Sequence, residues 1–317
     1  MRIRATVAAV SGALAISAFA LPAAHAATAT SSFKAEAASI LRAAHAASGQ
    51  AAHSAPGVSA FSTAAAATEP APYNMNVTFS NFKIAKSDKF GIGGHVAIST
   101  SYTLTHGSDV DVTAADFLTY PVLYHGSFDT MDNVLFGDDP ATCKVTSATT
   151  ETCTGKIDVY PAEGDLMNSD AGTWHAAVIA TALNGQDPTS STFDITKVGM
   201  AENDNIASTL VQHNTFLTAD ATPEPVKKGR TITVTGKMTW ANWDKSRYDG
   251  SVTQSVRLQF RKKSSSTYTT LKTIKTSSTG TLKTTTTATV DGYYRYSFAG
   301  TNATAAVNSA GDYVDVQ

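Results

Sequence analysis

From Tyr73 onward the chain is written in period two. Met75-Asn76-Val77-Thr78-Phe79 alternates apolar with polar residues, and so does Val96-Ala97-Ile98-Ser99-Thr100-Ser101-Tyr102-Thr103-Leu104. Successive side chains of a strand point to opposite faces, so each such run has one dry face and one wet face. Further runs occur over residues 117–124, 157–160, 174–183 and 209–217, with turn residues between them. Many short alternating strands separated by turns predict an antiparallel all-β sandwich or barrel.

The pattern breaks once. Asp220-Ala221-Thr222-Pro223-Glu224-Pro225-Val226-Lys227-Lys228-Gly229 carries two prolines and a Lys-Lys-Gly turn. Alternation then restarts at Thr231-Ile232-Thr233-Val234 and recurs in Ser255-Val256-Arg257-Leu258-Gln259-Phe260-Arg261, over 268–274, 282–290 and 293–298, and at Asp312 to Val316. About seven strands in about a hundred residues is the size of an immunoglobulin-like sandwich. The expected architecture is therefore two tandem Ig-like β-sandwich domains, residues 73–220 and 221–317. Tyr294, two residues before Tyr296, is the expected counterpart of the tyrosine that bonds back to the backbone in such folds.

The N-terminal quarter reads differently. Arg2 and Arg4 precede an uncharged apolar run from Ala5 to Leu21, followed by Ala24-His25-Ala26. A basic start, an apolar middle and a small-x-small site are the parts of a secretory signal peptide, expected over residues 1–26. Residues 27–72 are mostly Ala, Ser, Thr and Gly, and are expected to be a disordered linker or pro-segment. No cysteine for lipid attachment follows the apolar run, and the polar C-terminus has no hydrophobic tail. A secreted, extracellular protein with no membrane anchor is expected. The two cysteines agree: Cys143 and Cys153 flank a Thr- and Ser-rich stretch suited to a hairpin, and an oxidising compartment would let them bridge.

Several segments carry a resemblance. Pro223 to Gly229, Thr231 to Gly236, Leu258-Gln259-Phe260-Arg261-Lys262-Lys263, Thr267-Tyr268-Thr269-Thr270-Leu271 and Asp291-Gly292-Tyr293-Tyr294-Arg295-Tyr296 resemble an Ig-like module of secreted proteins from Streptomyces and related actinobacteria. The stretch before it is similar to the companion domain of such proteins, which are largely uncharacterised. The resemblance implies fold and secretion, and, from the label some relatives bear, calcium binding.

Charge is divided between the halves. Residues 73–220 hold six lysines, no arginine and eighteen acids, a net of −12; residues 221–317 hold fourteen Lys and Arg against six acids, a net of +8. The basic half suits a polyanion such as a cell-wall polymer or polysaccharide; nucleic acid is a weaker fit. The acidic half could supply oxygen ligands to Ca²⁺, and the loop with Glu163, Asp165, Asn168 and Asp170 is the richest in them, although it matches no EF-hand. No nucleophile-elbow, zincin or β-lactamase-type motif is present, so neither a catalytic residue nor a required cofactor is assigned. Trp240 continues the apolar alternation and is expected in the core, which leaves Trp243 and Tyr248 as exposed rings able to stack on sugars. The function expected is non-enzymatic binding or cell-surface association. The alternatives are a calcium-binding sandwich, a carbohydrate-binding module and a secreted hydrolase.

Overall fold

The computed structural model describes residues 70, 72–128, 131–188 and 190–317. The expected signal peptide, residues 1–26, lies outside the described residues, as does the low-complexity stretch through residue 69. The fold is all-β: strands and four short 3₁₀ turns make up its regular structure, and no helix among the described residues is long and apolar enough to cross a membrane. The chain forms two compact units. The first holds the described residues up to Ala85, Ala97–Asp158 and His175–Ser208; the second holds Lys86–Val96, Val159–Trp174 and Thr209–Gln317.

The first unit is a sandwich of two sheets. One joins Val77–Lys83, Val96–His106, Thr150–Val159 and Thr142–Ser147 in that order. The other runs Tyr73–Asn74, Gly199–His213, Gly172–Ala182, Phe117–His125 and Asn133–Phe136. The alternating side chains meet as the period predicts: Phe79, Tyr102, Leu104 and Cys153 from the first sheet pack on Val178, Ala180 and Ala201 of the second. The strand Gly172–Ala182 departs from alternation, since all five residues from Ala176 to Ala180 are buried. Its opposite face has its own core, in which Ala177 and Ile179 sit with Val122, Tyr124, Phe128 and Phe136. A strand dry on both faces reads as a continuous apolar run, and this one does. The Tyr102 hydroxyl sits 2.9 Å from Thr119 Oγ1, which donates to the Ile179 carbonyl at 3.0 Å, so the buried phenol is satisfied. Burial raises the Tyr102 pKa and keeps it protonated.

The second unit is an Ig-like sandwich. The long strand Thr231–Asn242 is the hub of one sheet and pairs with Thr215–Leu217, Asp220–Thr222, Arg247–Gly250 and Thr281–Thr287. The facing sheet orders Thr269–Lys275, Ser255–Lys262, Gly292–Phe298 and Val307–Asn308, with Asp312–Val314 also on Gly292–Phe298. Ile232, Val234, Met238 and Leu282 pack against Val256, Leu258, Tyr296 and Val314 between them. At the turn before Thr281, Gly280 adopts φ +81°, and the Met238 carbonyl occupies the place a Cβ would need. Tyr296, not Tyr294, makes the buried backbone bond: its hydroxyl donates to the Val234 carbonyl at 2.8 Å, on the opposite sheet. Tyr294 lies on the same inward face and packs its ring 4.8 Å from Phe260. Earlier chain also belongs here: Ser87–Phe90 pairs in parallel with Leu210–His213.

Cys143 and Cys153 are bonded and stand directly opposite each other in the hairpin, with Cα atoms 4.0 Å apart. Every residue of the edge strand Thr142–Ser147 is exposed, whereas Cys153 is fully buried. The bridge therefore fastens an otherwise weakly held edge to the core. With the bonded positions ten apart in sequence, chain-entropy reasoning assigns it about 2–3 kcal/mol. The double variant C143A/C153A is expected to lose that much stability in denaturant titration, with hydrogen exchange rising first in Thr142–Ser147. Unchanged stability and unchanged exchange would show that the edge holds itself.

Candidate functional site

The loop expected to offer calcium ligands spends its oxygens on its own backbone. Glu163 is exposed at the end of the 3₁₀ turn Pro161–Glu163. Asp165 Oδ2 accepts from the Tyr160 N–H at 2.8 Å, and Asp170 Oδ2 accepts from the Met167 N–H at 2.7 Å. The three carboxylates do not come together as a group of ligand atoms. Asn168 acts elsewhere. Its Nδ2 donates to Asn242 Oδ1 (2.8 Å) and Asp244 Oδ2 (3.0 Å), its Oδ1 accepts from the Trp243 N–H (2.9 Å), and its own N–H donates to Asp244 Oδ1 (3.1 Å). The turn Trp243–Lys245 is capped by Asn242, whose Oδ1 accepts from the Lys245 N–H at 3.2 Å, while Asn168 takes the Trp243 N–H.

That turn carries the tryptophan expected at the surface, and the structure corrects the expectation. Trp243 is 1% exposed, with its indole N–H on the Phe90 carbonyl at 3.2 Å. Trp240 is only half-buried. The exchange arises where Thr231–Asn242 passes from its pairing with Thr281–Thr287 to its pairing with Arg247–Gly250. Alternation ends there, and Ala241, Asn242 and Trp243 are buried in succession. Tyr248 remains half-exposed, and its ring neighbour at 4.8 Å is Phe216, which is 54% exposed. The exposed aromatic pair is therefore Phe216 and Tyr248. The signal for Phe216 was its place between the inward-facing Thr215 and Leu217.

His213 lies against both tryptophans, 3.9 Å from the Trp243 ring centroid and 4.6 Å, edge-on, from Trp240. It is 4% exposed, and its Nδ1 has no hydrogen-bond partner among the described residues. Burial pushes its pKa down to about 4, although a hydrogen bond to the Ala241 backbone and the charge of Asp244 pull the other way. The remaining scattered histidines are also engaged structurally. His95 stacks on Tyr160, His106 Nε2 lies 3.4 Å from the buried Glu151, His125 faces Asp132 at 3.7 Å, and His175 stacks on Tyr124.

The cations of the second unit are the other distinctive feature. Of the fourteen Lys and Arg in residues 221–317, Lys245 and Arg247 alone lie within 4 Å of a carboxylate among the described residues, and both face Asp249. The acids are occupied with backbone: Asp312 accepts from the Ala221 N–H and Asp291 from the Val316 N–H. Eleven of the fourteen are exposed, and Arg257, Arg261 and Arg295 are half-buried.

Comparison with known proteins adds little chemistry. A family of unknown function, DUF5707, matches residues 90–180. No curated protein matches the chain. Among solved structures, the Yersinia pseudotuberculosis adhesin InvE is 15% identical, over 74% of this chain and 58% of that one, with a TM-score of 0.22. The mouse nectin-like molecule 4 ectodomain is 11% identical over 77% and 65%, with a TM-score of 0.22. The D0-D1 domain of intimin is 15% identical over 74% and 98%, with a TM-score of 0.23. The chain spans less than two thirds of the first two, and overlaps this low carry no functional weight.

The buried imidazole makes stability depend on pH. The unfolded His213 titrates near 6.5 and the folded one near 4, so between these values the unfolded state binds more protons. Its contribution is fully present above pH 6.5 and is lost as pH falls toward 4, by about 3 kcal/mol at pH 4. Melts of the wild type and His213→Phe between pH 7 and 4 are expected to show a shallower fall for the variant. Parallel pH profiles would mean that His213 stays solvated.

Proposed function

We propose that this is an extracellular, non-enzymatic binding protein whose basic second unit holds an anionic polymer. The observation that carries the reading is that twelve of the fourteen cations in residues 221–317 lie beyond 4 Å of any carboxylate among the described residues. Paired cations would be internal scaffolding, whereas unpaired ones on a rigid sandwich raise the local concentration of polyanions and steer their approach. The disulfide and the leader-like N-terminus support an oxidising, exported setting. A cell-surface polymer is the partner this setting offers.

Binding carried by charge must respond to salt. The full chain is expected to bind dextran sulfate and not neutral dextran. Its affinity is expected to fall at least about tenfold between 50 and 200 mM NaCl, the counterion-release behaviour of a few simultaneous contacts. Equal binding to both dextrans, or a salt-insensitive affinity, would contradict the reading.

A further inference from the structure

The unpaired cations of the second unit are not scattered evenly. In the strand Ser255–Lys262 the inward residues are Val256, Leu258 and Phe260, so Arg257, Gln259 and Arg261 share the outward face. The neighbouring strand Gly292–Phe298 turns Tyr294, Tyr296 and Phe298 inward and Tyr293, Arg295 and Ser297 outward. Register sets Arg257 opposite Ser297, Gln259 opposite Arg295 and Arg261 opposite Tyr293. Arg257 and Arg261 therefore stand about 13 Å apart along one strand, with Arg295 midway on the next, about 8 Å from each at the backbone.

Two of the three guanidinium groups are held in place. Arg261 lies 3.8 Å over the Tyr293 ring and 5.4 Å from the Tyr268 ring; Arg295 lies 3.8 Å over Tyr268. Arg261 Nη1 donates to the Ser265 carbonyl and Arg295 Nε to Gln259 Oε1, each at 2.9 Å. A guanidinium has five N–H donors, so most of those on each remain unspent. None of the three arginines has a carboxylate partner among the described residues. Lys263, over Tyr313, is set apart from them because it lies toward Asp291 and Asp315.

We infer that this sheet face is a binding platform for a linear polyol-phosphate chain, a polyphosphodiester without bases. The inference rests on the polyanion reading above and names its surface and ligand. The face offers fixed donors and positive charge, which calls for a ligand made of charged acceptors, and Arg forks match the two free oxygens of a phosphodiester. Guanidinium groups already occupy ring faces of Tyr268 and Tyr293, which removes the platform on which bases of a single strand would stack. The same occupation disfavours sugar-ring stacking, and so a polymer held mainly by its rings. Holding Arg261 and Arg295 by stacking and hydrogen bonds in advance lowers the ordering cost of binding.

The test uses the full chain and three probes: poly(glycerol phosphate), polygalacturonate and oligo-dT of matched charge, each titrated at 50 and 200 mM NaCl. Wild type is expected to bind poly(glycerol phosphate) most tightly. R257Q/R261Q/R295Q is expected to weaken it at least tenfold and to flatten the log–log salt slope by about 2, at about 0.7 per lost contact. K227Q/K228Q/K283Q, which removes the same charge from exposed sites elsewhere in the unit, is expected to change it less than threefold. R261K/R295K keeps the charge but loses the forks and the stacking, and is expected to fall between, with an unchanged melting temperature confirming the fold. Equal losses in the two triple variants would mean that net charge, and not this face, does the binding; the polyanion reading would stand and this inference fail. Preference for oligo-dT or polygalacturonate would overturn the ligand assignment, and no binding to any polyanion would overturn both readings.

Discussion

The side-chain amide of Asn168 is the contact on which the Trp243 end of the second unit depends. A sandwich must close its ends as well as its faces, and the turn Trp243–Lys245 leaves backbone groups that no strand takes up. Asn168 Oδ1 accepts from the Trp243 N–H, its Nδ2 donates to the side chains of Asn242 and Asp244, and Asn242 Oδ1 in turn takes the Lys245 N–H. Trp243 can then turn inward, place its N–H on Phe90 and pack against His213. The ion pairs that Asp249 makes with Lys245 and Arg247 complete the same turn from outside, where exposure limits their worth.

This arrangement explains why the second unit does not begin where its strand pattern restarts. Phe90, Asn168 and His213 all precede Asp220, yet each supplies a partner to the turn after Thr231–Asn242. Further bonds repeat the theme: Gln212 Nε2 donates to the Thr301 carbonyl and Thr215 Oγ1 to that of Ala305. On the outward face of the other sheet, the arginines stand without acids among the described residues.

Much of the fold was legible because period two is a direct record of facing. The runs at Val96, Phe117, Thr231, Ser255 and Tyr293 all became strands, and the cysteine hairpin paired in register. Other elements carried no such record. The first half of Gly199–His213, with Glu202-Asn203-Asp204-Asn205, reads as a turn-rich acidic cluster, and only pairing with its neighbours makes it a strand. The Asn168 loop is rich in oxygens by sequence, but a sequence does not show which of them hold the backbone. Trp243 looked exposed because a frame shift in alternation at a change of pairing partner leaves no mark in composition. The arginine face, by contrast, was written in the alternation of Ser255 to Arg261, but its freedom from carboxylates is a property of three dimensions.

Native-state hydrogen exchange at the Trp243 backbone amide, compared between the wild type and Asn168→Ala, tests the account most directly. Loss of the Asn168 amide leaves the part-buried Trp243 N–H without its acceptor, which ordinarily costs about 1–3 kcal/mol, so exchange at that amide should speed up by roughly ten- to a hundredfold while Val234 and Leu258 change less. Unchanged protection at Trp243 would show that the closed end of the second unit stands without the earlier segment, and the account of how that unit is completed would be wrong.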